Sequence, residues 1–328
     1  MNRIRSFFYQ TLRPDMYHGH HKKPPFFEGW YFKVVSADES HRYAIIPGVF
    51  LGDDGHAFVQ ILNGMTAESI YHRFPLESFW ASEEDFEVRI GENVFYRQHI
   101  NLNIDRPEGQ LIGELRFSDL VVWPVSAREP GIMGWYAWVP LMECYHGVIS
   151  LDHQIMGSLK IDGESIDFSS GRGYTEKDWG QSFPSAYIWM QSNHFSNHPV
   201  CLTGSVAMIP WVRQAFRGFI IGLWYRGELY RFATYNGAII EHLELENDHV
   251  DWYIRGKNHR LELHATRPEG GLLHAPDRES MLQRVEETMR ATVDVQLLTL
   301  EGQVIFEDRG RHAGLEVFGD LERLLATA

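Results

Sequence analysis

Strand-length runs of hydrophobic residues, bounded by turn residues, recur along the chain, and side chains two positions apart in each run would share one face of a β-strand. In the run 26–35, Trp30 and Phe32 would lie on one face of a strand, and Tyr31 and Lys33 on the other. Further strand-length runs separated by turn residues span 42–51, 56–62, 86–90, 95–104 and 110–120. This spacing of short strands and turns predicts an antiparallel sandwich or barrel.

A second series of runs repeats the order of the first at an offset of roughly 160–170 residues, which is longer than solenoid periods. Its strands are predicted at residues 189–195, 200–209, 219–224 and 229–235. Each series ends on an Asn-Gly pair, at Asn63-Gly64 in the first and Asn236-Gly237 in the second. The repeat predicts an all-β protein made of an N-terminal arm (residues 1–25) and two related β units, residues 26–165 and 166–328.

Two segments interrupt the strand pattern. Residues 128–146 are rich in proline, glycine and tryptophan, and they are predicted to connect the two units, partly as short helical turns. Residues 277–290 are predicted to form a helix, because Asp277 can cap it and apolar residues recur at every fourth position. This short helix in the C-terminal half would cover an open barrel face.

Composition and charge restrict the possible partners. The formal net charge of −14 argues against nucleic acid and anionic membranes, since both require a basic face. Cys144 and Cys201 lie far apart without a CxxC spacing, which favours reduced thiols in a reducing compartment. The longest apolar stretch, 218–225, is too short to span a bilayer, and no signal peptide is recognisable. We therefore expect a cytoplasmic protein with no transmembrane segment.

Cofactor-binding motifs are missing from the sequence. No phosphate loop, dinucleotide fingerprint or Ser-His-Asp order occurs, so nucleotide, nicotinamide and hydrolase chemistry are not predicted. The run Tyr17-His18-Gly19-His20-His21 contains imidazoles, but adjacent imidazoles on a loop do not easily converge on one ion. We expect neither a metal nor an organic cofactor.

Residues 171–195 combine charged and aromatic side chains more densely than any other part of the chain. Glu176, Lys177 and Asp178 stand directly before Trp179. Carboxylates usually stay at the surface while large rings are buried, so this mixture indicates a polar site in an aromatic core. The alternative is a solvated loop with a local ion pair. The pattern predicts a charged turn that leads into a strand beginning near residue 186.

Three motifs resemble those of the tocopherol cyclase family and occur in the same order. They are FFEGWYFKV at 26–34, preceded by Tyr17-His18-Gly19; WYA at 135–137 with MECYHGV at 142–148 and SLDH at 150–153; and YTEKDWG at 174–180 with WMQSN at 189–193. The resemblance implies a calycin-like fold of two lipocalin-type antiparallel β-barrels in tandem, related to carotenoid hydratase-like proteins. It also implies closure of a prenylated hydroquinone into a chromanol ring without a redox cofactor. At Asp178 the plant members often have asparagine.

This cyclisation requires a proton donor for an alkene, ring faces for a tertiary cation and a polar group for the phenol. We expect Glu176 or Asp178 to be the acid, and His146 or Tyr174 to contact the phenol. The expected substrate-binding residues are acids, rings and an amide from the same motifs: Glu28, Trp30, Glu143, Trp179, Tyr187, Trp189 and Asn193. Each carboxylate could instead form a salt bridge, and each ring could simply pack in the core.

Two other functions are compatible with the same fold. A non-catalytic isoprenoid or lipid carrier would need the cavity but no buried acid. An isoprenoid hydratase would need the same acid and an ordered water, because water and phenol capture the same kind of cation. In every case the expected partner is a small hydrophobic molecule, and the oligomeric state is not predicted.

Overall fold

The computed structural model describes residues 3–140, 142–211 and 214–326. These residues form two antiparallel β-sheets and two short helices, α1 (Arg3–Thr11) and α2 (Leu321–Ala326). The all-β class predicted from the alternation is confirmed, and a short helix lies in the C-terminal half. Within the described ranges, neither helix has the length and apolar character that crossing a membrane would require.

The chain divides into two compact units, of which the first comprises Met1–Phe183 and Leu273–Arg284. Its strands are β1 (Phe26–Val35), β2 (Arg42–Leu51), β3 (His56–Asn63), β4 (Ser69–Pro75), β5 (Phe79–Ala81), β6 (Glu87–Ile90), β7 (Asn93–Tyr96), β8 (His99–Arg106), β9 (Gly109–Val121), β10 (Cys144–Ile161), β11 (Glu164–Asp167) and β12 (Arg172–Gly180). Neighbouring strands follow the order β4-β3-β2-β1-β12-β10-β9-β8-β7-β6-β5, with β11 beside β10. Among the described residues this order does not close, so the sheet is an open form of the predicted barrel.

The second unit comprises Pro184–Leu272 and Val285–Ala328. The strands of the second sheet are β13 (Ala186–Ser192), β14 (Cys201–Trp211), β15 (Gln214–Tyr225), β16 (Glu228–Ala233), β17 (Ile239–Leu245), β18 (His249–Arg255), β19 (His259–Thr266), β20 (Gly271–Ala275), β21 (Gln283–Thr299) and β22 (Val304–Gly319). Their order is β16-β15-β14-β13-β22-β21-β19-β18-β17, with β20 beside β21. Its core is apolar and includes the fully buried Trp252.

The two sheets share one topology. In each, a meander of four strands is joined through its first strand to the last strand of the sheet, β1 to β12 and β13 to β22. That last strand then pairs with a long strand, β10 or β21. This common order matches the repeat in the sequence. The first unit extends to Phe183, beyond the predicted division at 165/166, because β12 takes its place between β1 and β10.

The prediction of a helix at residues 277–290 is wrong. Residues 283–290 belong to β21, and a turn precedes them in which the Asp277 carboxylate accepts hydrogen bonds from the backbone N–H groups of Glu279 and Ser280, at 2.7 and 2.6 Å. Residues four apart share a face in a strand as well as in a helix, so the apolar spacing did not discriminate between them. Val285 and Met289 are both buried on that common face.

The sequence pattern also missed two central strands of the first sheet. The charged run expected to be a turn forms β12, and the segment after residue 143 forms the 18-residue strand β10. Both are buried along much of their length, so they do not show the regular alternation of a strand with one solvated face. The expected helical turns in 128–146 are confirmed in part by a 3₁₀ segment at Gly134–Trp138.

Candidate active site

Strand β12 carries the charged motif through the middle of the first sheet. Successive side chains of a strand point to opposite faces, so Tyr174, Glu176 and Asp178 lie on one face and Lys177 on the other. On the neighbouring strand β10, His146 lies directly opposite Asp178. The strand therefore divides the motif into two separate clusters.

The first, which we call the carboxylate–histidine cluster, consists of His146, Tyr174, Glu176 and Asp178. His146 Nδ1 lies 2.9 Å from Asp178 Oδ1, and its Nε2 lies 3.5 Å from Glu176 Oε2. The Tyr174 hydroxyl donates a hydrogen bond to the same oxygen of Glu176. The Glu176 side chain is 6% exposed and that of Asp178 is 29% exposed. One imidazole thus lies between a buried carboxylate and a more accessible one.

The two carboxylates control the protonation of His146. Burial alone lowers the pKa of the imidazole, but the negative charges of Asp178 and Glu176 and the hydrogen bond to Asp178 outweigh burial and raise that pKa to about 9. At neutral pH the ring is therefore an imidazolium. It holds a proton within reach of a buried carboxylate.

We expect the His146 ring to titrate near pH 9, and Asp178→Asn to lower that pKa by removing the largest attractive charge. Because the folded pKa lies above the unfolded value of 6.5, the ring contributes stability that is complete below pH 6.5. This contribution is lost as the pH rises through about 9. An NMR pH titration of the histidine ring protons measures both effects. A His146 midpoint near its unperturbed value in the wild type would contradict the arrangement.

An apolar group of rings lies on the same face of the sheet. Gly29, opposite Asp178, and Gly48, opposite Gly29, provide a flat surface for the Phe58 ring. A Cβ atom at Gly48 would come within 2.3 Å of that ring. Phe58 belongs to a buried cluster with Phe27, Phe50 and Met281. Cys144 packs against this cluster, and its Sγ lies 4.0 Å from Asp178 Oδ1. The carboxylate–histidine cluster therefore borders a buried aromatic cluster.

Sequence reasoning missed two residues on this face. Tyr31 lies directly opposite Glu176, and Lys33 directly opposite Tyr174. Both are buried, Lys33 completely. The alternation of side chains along β1 was the signal available in the sequence, because it placed Tyr31 and Lys33 on the face opposite Trp30. Only the pairing of β1 with β12 shows that this is the face of Glu176.

The second group, which we call the lysine cluster, consists of His18, Glu28, Trp30, Lys177 and Trp179 on the opposite face. The Lys177 ammonium donates hydrogen bonds to Glu28 and to the carbonyl oxygen of Met16, and it lies 4.7 Å from the ring centres of both tryptophans. The His18 ring stacks on Trp179 at 4.2 Å. These contacts attach the N-terminal segment to the sheet.

Burial and charge act together in the lysine cluster. Burial alone raises the pKa of Glu28, but Lys177 and His18 reverse this and lower it. Burial also lowers the pKa values of His18 and Lys177. The charges compensate one another inside the protein, as in a structural ion pair. Because Glu28, Trp30 and Trp179 lie on the face opposite Glu176, the structure does not bring these predicted substrate-binding residues together with the predicted acid.

The remaining predicted residues lie elsewhere. The Glu143 carboxylate forms an ion pair with Arg278 at 3.2 Å. Tyr187 and Trp189 belong to β13 of the second unit, where the Tyr187 hydroxyl donates a hydrogen bond to Glu316 at 2.8 Å. Asn193 follows that strand and is buried. Substrate contact by these four residues stays a prediction.

The carboxylate–histidine cluster also provides possible ligands for a metal ion. One ligand atom from each of His146, Glu176 and Asp178 lies within 4.8 Å of the others. One nitrogen and two carboxylate oxygens could accept a divalent cation. The expectation that the chemistry needs no metal therefore stays a prediction.

The fold is shared with known proteins of similar length. The crystal structure of CghA with Sch210972 matches with a TM-score of 0.57 at 10% identity, over 90% of this chain and 89% of that chain. At this identity the likeness concerns the fold alone. It shows that this fold occurs in a known crystal structure.

The sequence profile of the tocopherol cyclase-like family matches residues 110–319, so the chain belongs to that family. The probable chloroplastic tocopherol cyclase of Oryza sativa subsp. japonica is 28% identical over 208 residues, which are 60% of this chain and 44% of that protein. The chloroplastic tocopherol cyclase of Zea mays is 27% identical over 208 residues, 60% of this chain and 43% of that protein. The chain thus matches less than half the length of these relatives.

Proposed function

We propose that the protein cyclises a prenylated hydroquinone to a chromanol by adding a proton to an alkene, without an organic cofactor or a metal ion. The observation that carries this proposal is the protonated His146 held between Glu176 and Asp178. The family membership supports the choice of substrate class. The buried aromatic cluster around Phe58 makes the surroundings of the acid apolar, as a prenyl chain requires.

The proposed reaction begins with transfer of the His146 proton to Glu176 across the 3.5 Å between them. A carboxylic acid is a stronger proton donor to an alkene than an imidazolium is. The hydrogen bond from the Tyr174 hydroxyl orients the Glu176 side chain. The proton forms a new C–H bond at the less substituted alkene carbon, which leaves a tertiary cation. The carboxylates of Glu176 and Asp178 stabilise this cation electrostatically.

The phenol oxygen of the substrate then captures the cation and forms the C–O bond of the new ring. The phenol proton returns to the cluster, where His146 Nε2 or Glu176 accepts it. The cluster is restored, and the product is an isomer of the substrate. No oxidant or reductant is consumed, in agreement with the proposed absence of a redox cofactor.

The test is incubation of the full chain with a methylated hydroquinone bearing one prenyl chain, in D₂O. We expect a constitutional isomer of the substrate that has one phenol hydroxyl fewer and carries one carbon-bound deuterium. A product heavier by one water would instead identify a hydratase. Substrate that binds but is recovered unchanged would identify a carrier. Either of these outcomes overturns the cyclase proposal.

A further inference from the structure

A second group of metal-ligating side chains lies on the second sheet, far along the chain from the candidate active site. The pattern is His-x-Glu at 242–244 on β17, His-x-Asp at 249–251 on β18, and His264 on β19. The register places Glu244 opposite Asp251, and Asp251 opposite His264. Residues two apart share a face of a strand, so all five side chains emerge on one face.

The ligand atoms of this group are spaced as around a small ion. His242 Nε2 lies 3.2 Å from Glu244 Oε2, and the ligand atoms of His242, Glu244 and Asp251 lie within 4.8 Å of one another. In a tetrahedral zinc site with bonds of about 2.0–2.1 Å, neighbouring ligand atoms are about 3.3 Å apart. Small side-chain rotations therefore suffice to bring the three ligands onto one ion.

His249 borders this trio through Asp251. Its Nδ1 lies 2.8 Å from Asp248 Oδ1, and its Nε2 lies 3.6 Å from Asp251 Oδ2. A hydrogen bond from Nδ1–H to a carboxylate fixes the tautomer in which Nε2 carries the lone pair, an arrangement common at metal-bound histidines. On the other side, His264 Nδ1 bonds to the second oxygen of Asp251 and orients this carboxylate.

We propose that His242, Glu244, His249 and Asp251 form a Zn²⁺ site on the outer strands of the second sheet, with Asp248 and His264 as orienting partners. Two imidazoles with two carboxylates suit zinc better than magnesium or calcium, which prefer oxygen ligands alone. The ligands come from β17 and β18, and β17 is the edge strand of its sheet. A bound ion therefore clamps an edge strand to its neighbour and stabilises the sheet against fraying.

The test is titration of the chelator-treated full chain with zinc sulfate at pH 7.5, followed by calorimetry and by thermal unfolding. Because the carboxylate–histidine cluster can also bind metal, the titration uses His146→Gln as the background. We expect this background to bind one zinc ion and to unfold at a higher temperature with zinc. Adding Asp251→Asn or His242→Gln should abolish both effects. Adding His259→Gln, on β19 of the same sheet, should leave both effects unchanged.

Two outcomes overturn the proposal. One is that the His146→Gln background binds no zinc. The other is that Asp251→Asn and His242→Gln bind zinc as well as this background does. Unfolding in the presence of chelator serves as the folding control, since the variants should then match the background.

Discussion

Replacing Glu176 by Gln is expected to lower kcat for the prenylated hydroquinone by about 10²–10⁴-fold, which is the usual contribution of a general acid. The amide keeps the size of the side chain and can still accept the hydrogen bond from Tyr174. It cannot take a proton from His146 and pass it to an alkene. Substrate affinity should change little, because the substitution preserves the size of the side chain and leaves the apolar cluster around Phe58 intact.

The measurement combines initial rates of product formation with substrate binding followed by tryptophan fluorescence. Glu114→Gln is the matched control, since Glu114 lies on β9 of the same sheet, forms an ion pair with Arg116 and has a side chain that is 38% exposed. This control should turn over at the wild-type rate. Full turnover by Glu176→Gln would show that another group donates the proton. Loss of binding along with turnover would show that Glu176 holds the substrate instead.

Replacing Lys177 by Met is expected to lower the free energy of unfolding by about 3–5 kcal/mol, because it leaves the Glu28 carboxylate buried without its counter-charge. Both side chains are completely buried, and Glu28 keeps only His18 as a charged or polar side-chain partner among the contacts described above. Methionine retains much of the packing against Trp30 and Trp179. Equilibrium unfolding in urea, monitored by tryptophan fluorescence, gives the difference.

The double variant Lys177→Met/Glu28→Gln separates charge from packing. If the uncompensated carboxylate causes the loss, the double variant should recover much of the stability, since removing both partners of a buried pair is often nearly neutral. A double variant as unstable as Lys177→Met would show that packing and the bond to the Met16 carbonyl dominate instead. Arg89→Met, which breaks an exposed ion pair with Glu87, should have a much smaller effect.

The class of fold followed from the sequence, but several of its elements did not. The alternation of Trp30, Tyr31, Phe32 and Lys33 correctly indicated a strand, because a period of two is a local property of the chain. The charged run failed as a turn because β12 is buried on both faces, and buried charge is recognisable only from its partners. At residues 277–290 one apolar spacing was compatible with either a strand or a helix.

The candidate site was predicted in part. Glu176 and Asp178 were expected to be acids among rings, and His146 to be close to the reacting phenol; the structure joins these three through β10 and β12. Trp30 and Trp179 were expected to bind the substrate. They lie on the face opposite the acids, because Trp179 is an odd number of residues from both carboxylates and Trp30 is paired with Lys177.

The sequence alone determined which side chains of a strand share a face, since this depends only on whether their spacing is even or odd. It thereby separated Glu176 and Asp178 from Lys177 and Trp179 once a strand was assumed. Only the tertiary structure decided two other features of the site. One is the register that places His146 opposite Asp178, and the other is the position of the His146 ring between two carboxylates that keep it protonated. Both result from contacts between residues about 30 positions apart, and such contacts depend on how β10 and β12 pair within the folded sheet.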